Sequence, residues 1–235
     1  MKFKSDFCKV ILVLILALFL INCKKDSSTA SGSSGSITDI DGNIYHSVKI
    51  GTQVWMVENL KTTKYRNGDP IDNITNQSAW AALNFGGGAY CWYDNDALTN
   101  KATYGALYNW YAVSDTRLLA PDGWHIATDA EWTTLTTNLG GEGVASGKLK
   151  EAGTNHWLSP NIISAQSVGF EALPGGYRYW DGVFDGIRSN GMWWTRTPMS
   201  GTTFAIGRNL KNENATVGGV GDNKRLGFSV RCIRD

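Results

Sequence analysis

The chain has 235 residues, 22 of them Lys or Arg and 21 Asp or Glu, for a formal net charge of +1. Lys2, Lys4 and Lys9 stand in an N-terminal leader, so the remainder is near neutral and lacks the basic surface that nucleic-acid binding demands. Ten Trp, nine Tyr, eight Phe and 27 Gly point to short strands, many turns and few helices, in one or two domains.

Met1 to Asn22 reads as a signal peptide, with the lysines as its basic region and Val10 to Ile21 as its apolar run. That run holds roughly 12 residues, where a membrane-spanning helix needs about 20. Cys23 follows, then Lys24-Lys25-Asp26 and a Ser/Gly/Thr tract to Ser36. A cysteine closing an apolar run, with a flexible polar tether behind it, resembles the lipobox of bacterial lipoproteins, whose thiol is acylated. Ile21 and Asn22 depart from it, standing where small residues are usual. The expectation is a leader over 1–22, a lipid-anchored tether over 23–36 and a single domain over 37–235, held on an outer membrane without spanning it. Which side of that membrane it faces stays open.

Cys8 leaves with the leader, so the domain keeps only Cys91 and Cys232. Two cysteines in an exported domain most economically form one disulfide, worth roughly 4–5 kcal/mol for so long a loop in the chain-entropy picture. The alternative is two separate buried thiols.

Along the domain, Asp41-Gly42 marks a turn, Ile44 to Ile50 a strand, Gly51-Thr52 a tight turn and Gln53 to Val57 the returning strand. Tyr65 to Ile71 reads as a hairpin tip and Ser78 to Leu83 as a short helix before the Gly86 to Gly88 loop. Ala89 to Asp96 is a β-prone aromatic run ending in Asp94, Asn95 and Asp96. Those oxygens suit a hard cation, but EF-hand spacing is absent and a polar turn is the reading. Tyr104, Leu107, Tyr108 and Tyr111 fall at helical spacing, predicting one helix over Tyr104 to Val113.

Pro121-Asp122-Gly123 is a turn signal, and Trp124-His125-Ile126 a short strand. Thr128 with Glu131 three residues on forms a capping box, and Asp129 adds negative charge to the first turn. Trp132, Leu135 and Leu139 make one apolar stripe, ended by Gly140-Gly141. Ser146 to Ala152 adds a helical turn. Gly169 to Pro198 reads as a glycine-punctuated β-meander containing Tyr177 and Tyr179; Phe204 to Ile206 and Gly227 to Ile233 are later strands.

VWMVENL (54–60), YGALYNWYAV (104–113), GWHIATDAEW (123–132), LPGGYR (173–178) and GFSVRCIRD (227–235) occur in an order that resembles the Fibrobacter succinogenes major paralogous domain, a family of secreted and lipid-anchored bacterial proteins. The phrase ATDAEW and the closing strand are more distantly similar to the sulfatase-modifying enzymes. That resemblance implies an α+β, C-type-lectin-like domain with two main short helices and short antiparallel strands, in which a disulfide often closes the ends. It implies an address and a fold, and no ligand.

Against an enzyme, the region Trp193 to Leu210 has no Cys where the sulfatase-modifying enzymes need a redox-active pair. His46, His125 and His156 lack metal-ligand spacing, and there is no GxSxG elbow. His125 reads as structural, although a polar pocket holding it beside a carboxylate would favour chemistry. No catalytic residue, metal or cofactor is expected.

Trp180, Asp181, Arg188, Asn190, Trp193 and Trp194 offer flat rings beside amides and charges in a loop-rich stretch, the vocabulary of sugar recognition. In an alternating strand Trp193 and Trp194 face opposite ways, so at most one of them serves a site. Asn209, Asn212, Glu213, Asn214, Asp222 and Asn223 form a late polar cluster similar to that of C-type lectins, whose Trp-Asn-Asp and Glu-Pro-Asn triplets are missing. The expectation is a non-catalytic envelope module that recognises a glycan or a protein; the alternatives are a structural or adhesion protein with no small ligand and, last, an enzyme of unknown type.

Overall fold

The computed structural model describes residues 36–83, 86–163 and 166–235, apart from the side chain of Val220. The leader, Cys23 and the tether as far as Gly35 lie outside the described residues. Among those described, no helix is long and apolar enough to cross a membrane.

The domain is α+β, with several small sheets and few helices. In chain order come β1 (Ile37–Thr38), β2 (Ile44–Tyr45), β3 (Ser47–Ile50), β4 (Gln53–Met56), β5 (Asp72–Asn73), α1 (Gln77–Ala81) and β6 (Ala89–Cys91). Then follow α2 (Ala97–Tyr104), β7 (Leu107–Tyr108), α3 (Trp110–Ser114), β8 (Trp124–Ile126), α4 (Asp129–Asn138) and α5 (Glu142–Leu149). The last part is β-rich: β9 (Gly175–Arg178), β10 (Phe184–Ile187), β11 (Asn190–Pro198), β12 (Phe204–Lys211), β13 (Gly218–Asn223), β14 (Ser229–Val230) and β15 (Cys232–Arg234).

β15 lies between β4 and β8 in the sheet β3-β4-β15-β8, so the C-terminal strand is locked into the first part of the domain. A second sheet runs β5-β6-β7, and β1 pairs β2. The largest runs β10-β9-β11-β12-β13, with β14 added in parallel against β11. The expected strand from Ile44 to Ile50 is divided at His46, because β2 pairs β1 while β3 pairs β4.

The capped helix forms as the sequence predicts. The Thr128 side chain accepts from the Glu131 amide, and the Glu131 carboxylate accepts the Thr128 amide at 2.7 Å. Trp132 and Leu135 are buried along it, and Leu139 caps its end. The helix expected over Tyr104 to Val113 is not continuous. α2 stops at Gly105, whose φ of +77° and close approach to the Leu60 carbonyl suit glycine alone. Asn109 then starts α3 afresh, its side chain accepting from the Ala112 amide. Asp94 and Asn95 form a polar turn, and Asp96 caps α2.

Three apolar clusters fill the interior. One sets Trp55, Trp132, Phe170 and Trp193 edge to face or tilted, with ring centroids 5.2–6.0 Å apart. The expected Cys91–Cys232 bridge is not formed. Cys91 lies on β6 beside Trp80, Tyr93 and Leu107, while Cys232 lies on β15 with Trp124, Ile126 and Val230. The strands belong to different sheets, and each cysteine is a free thiol whose burial pushes its pKa up to about 12. The open alternative, two separate buried thiols, is the one observed.

Candidate functional site

The six residues expected to form a sugar site do not gather. Trp193 and Trp194 are both fully buried. Alternation along β11 sends them to opposite faces, as expected, but both faces are covered there. Trp193 joins the α4 cluster and donates its Nε1 proton to Asn59 Oδ1 at 2.8 Å. Trp194 lies on Phe228, centroids 4.3 Å apart, and donates to the Tyr108 carbonyl at 2.9 Å. Neither ring is free to meet a ligand.

Trp180 and Asp181 sit at the tip of the β9–β10 hairpin, whose turn is closed by Tyr179 and Val183. Asp181 accepts the Val183 amide, and Trp180 is half exposed beneath the Arg225 guanidinium. Arg188 stands at the other end of β10, in a left-handed conformation (φ +65°), and its guanidinium contacts carbonyls of Thr154, Asn155 and His156. Hairpin tips at opposite ends of one strand cannot share a pocket. Only Asn190 lies in a concave polar surface.

That surface is a cleft of about 230 Å³ on the face of the large sheet away from α4. The register builds it: Asn190 faces Lys211 and Met192 faces Asn209 across β11 and β12, so all four project to one side. Asp222 reaches it from β13, Tyr177 from β9, Tyr179 from the turn that follows β9, and Leu226 and Phe228 from the segment before β14. Gly186 (φ +75°) makes the junction tight, since a Cβ there would stand 2.7 Å from the Tyr177 ring and 2.8 Å from Asn190 Nδ2.

The rings are held firmly. Tyr177 and Tyr179 meet edge to face at 5.0 Å, their hydroxyls 3.2 Å apart, and the Tyr177 hydroxyl donates to Asp185 Oδ2 at 3.1 Å. The polar groups are not. Among the described residues, the Asn209 amide, the Lys211 ammonium and the Asp222 carboxylate have no side-chain hydrogen-bond partner. Asp222 Oδ2 is buried in that state, and burial raises the pKa of the group. Asn190 uses Nδ2 on Ser189 Oγ and leaves Oδ1 open.

Of the rest of the late polar cluster, Asn212 donates to the Leu158 carbonyl, and Asn214 and Asn223 serve turns. Asn214 accepts from the Thr216 amide and Asn223 from the Arg225 amide. Asn209 and Asp222 were visible in the sequence as part of that cluster, whereas Tyr177, Tyr179, Met192 and Lys211 carried no site signal. A period-two reading of β11 sets Asn190 and Met192 apart from Trp193, but their partners follow only from the register with β12.

His125 lines a separate pocket of about 210 Å³ and has a carboxylate on each ring nitrogen. Nδ1 lies 2.7 Å from Asp235 Oδ1 and Nε2 2.8 Å from Glu131 Oε1. Burial opposes the charged imidazole, but the bonds to Asp235 and Glu131 outweigh it and raise the pKa. Glu131 is itself committed to the Thr128 amide and hydroxyl. The arrangement ties β8, the start of α4 and the C-terminal residue together, and leaves no ring nitrogen open to a substrate. Among the described residues no group of three His, Cys, Asp or Glu is placed to hold a metal.

The domain is thus α+β, with an aromatic-walled polar cleft on one face of its large sheet. Over residues 48–234 the sequence matches the Fibrobacter succinogenes major domain, and the chain belongs to that family. Neither the curated proteins nor the solved structures include a match.

Proposed function

We propose that this protein is a non-catalytic recognition module of the cell envelope, lipidated at Cys23 and carried on an outer membrane, which binds an extracellular glycan in the sheet cleft. The observation that carries the reading is the coexistence of ordered aromatic walls with unengaged amide, carboxylate and ammonium groups in one concavity. Buried polar atoms of a folded protein are ordinarily paired, and Asp222 Oδ2 is buried without a partner; the open groups of Asn190, Asn209 and Lys211 face water, which a ligand's hydroxyls would replace. The committed nitrogens of His125 support a non-catalytic role. We also propose that the fold is a variant of the C-type-lectin-like and sulfatase-modifying type, in keeping with the closure of β15 onto β4 and β8.

A second reading, a protein partner, is favoured by the exposed Tyr179, Trp180 and Val183 at the β9–β10 hairpin. The test is binding of the purified full chain to a broad glycan array, with and without calcium. Saturable signal on one glycan class, weakened by Tyr179→Ala, supports the glycan reading. A blank array under both conditions overturns it and leaves the hairpin as the surface to probe.

A further inference from the structure

We propose that the sheet cleft takes a single neutral pyranose unit, with its hydroxyl edge on Asp222, Asn209, Asn190 and Lys211 and its C–H face on Tyr179, and that it rejects acidic sugars. This rests on the glycan reading and narrows it to one ligand class.

Size sets the first limit. At about 230 Å³ the cleft falls below the roughly 300–1,000 Å³ of clefts that enclose drug-sized ligands. One ring fits, and a chain must leave through the open side.

Hydrogen-bonding character sets the second. The Asp222 carboxylate only accepts, the Lys211 ammonium only donates, and each amide of Asn190 and Asn209 does both. A ring of hydroxyls matches such a mixed set, because every hydroxyl donates and accepts. The apolar surfaces of Met192 and Tyr179, backed by the buried Leu226 and Phe228, then face the C–H side of that ring. Tyr179 is the exposed member, at 38%, and Tyr177 packs against its ring.

Charge sets the third. Asp222 forms no ion pair among the described residues, and its Oδ2 is enclosed without a donor. Because Oδ2 is the carboxylate oxygen found buried and unpaired, Oδ1 is the one that a ligand hydroxyl meets. A second carboxylate brought against that wall is repelled by Asp222, and Lys211 is the cation lining the same cleft. Lys211 is exposed at the rim, where water screens its attraction. Asp185, the other acid near the rings, is tied to Tyr177 and adds to the negative side. The Asp222 carboxylate, less exposed than Lys211 and so less screened, decides the preference.

The test measures calorimetric affinity of the full chain for neutral tetrasaccharides (glucan, mannan, xylan and galactan fragments) and for tetragalacturonate and tetramannuronate. The expected result is saturable binding of at least one neutral probe and about tenfold or weaker binding of both uronates. Asp222→Asn should weaken the neutral probe about 10–100-fold, the range for a hydrogen bond to a charged group, and should shrink the penalty on uronates. Tyr179→Ala should weaken the neutral probe about tenfold. Circular dichroism on each variant separates lost binding from lost fold, and Trp180→Ala, outside the cleft, should bind as the parent does.

Equal affinity for uronates and neutral probes overturns the charge preference. Neutral binding that survives Asp222→Asn and Tyr179→Ala but disappears with Trp180→Ala overturns the site and leaves the glycan reading standing. No binding to any probe overturns both.

Discussion

Asn59 and Asp222 are both polar groups set among aromatic rings, and they stand in opposite conditions. Asn59 is buried and fully engaged. Its Nδ2 donates to the Tyr104 carbonyl and Ser229 Oγ, and its Oδ1 accepts from Trp193 Nε1 and from two nitrogens of Arg231. Arg231, also buried, completes its set on the Met56 and Phe170 carbonyls, and burial still pulls its pKa down to about 9. Asp222 lines a cleft and engages nothing. The first arrangement lowers the energy of the fold, because each donor and acceptor taken from water has found a protein partner. The second leaves one carboxylate oxygen enclosed and unpaired and the other turned to the cleft, where a ligand can reach it.

The contrast is broken most forcefully at its centre. Asn59→Ala strands the Arg231 charge and the Trp193 N–H in the interior. The expected loss is about 3–5 kcal/mol of unfolding free energy, measured by urea titration. A loss below about 1 kcal/mol would mean that the centre is not the keystone described. Thr128→Ala, which removes one half of the capping box, should cost about 1 kcal/mol on the same titration. Indifference there would show that the Glu131 contacts hold the helix start by themselves.

Asp222→Asn sharpens the comparison because its sign is reversed. Removing an unpaired enclosed carboxylate should leave stability unchanged or raise it by up to about 1 kcal/mol at neutral pH. The folded pKa is raised by burial, so the wild type gains stability relative to this variant as pH falls through that value. A clear destabilisation by Asp222→Asn at neutral pH would mean that the carboxylate already has a structural task.

What the sequence disclosed followed the range of the interactions. The capping box of Thr128 and Glu131 lies within four residues, and the turn at Pro121 to Gly123 lies within three, so both were legible. Apolar spacing predicts one helix over Tyr104 to Val113, but two local signals inside it override that spacing: Gly105 stops α2 and Asn109 caps α3. Strand alternation sends Trp193 and Trp194 to opposite faces, yet what covers those faces comes from α4 and from Phe228, far away in the chain. The cleft needs Asn190, Asn209 and Asp222 on three strands to come into register, and no local pattern carries that. The family phrases mark the fold: VWMVENL, the start of YGALYNWYAV and GFSVRCIRD supply Asn59, Tyr104, Ser229 and Arg231, which meet in the buried centre.

His125 is the intermediate case: fully engaged like Asn59, but at the edge of the fold and titratable. Its pKa is raised in the folded state above the ordinary 6.5, so its bonds to Asp235 and Glu131 add stability that is complete below that value and lost as pH rises through the folded pKa. Glu131 runs the other way. Its pKa is lowered, by bonds from Thr128 and His125 against burial, so its share is present above 4.5 and lost in acid. Melting between about pH 6 and pH 8.5 therefore isolates the histidine. Lys150, whose burial pulls its ammonium down to about 8, titrates within that window but cancels when a variant is compared with the wild type. His125→Gln should melt below the wild type at pH 6, and the gap should narrow by pH 8.5. The effect is small, because Asp235 is more than half exposed and water screens the pair. A gap that stays constant across the window would show that the ring serves as a neutral hydrogen-bonding spacer and carries no charge.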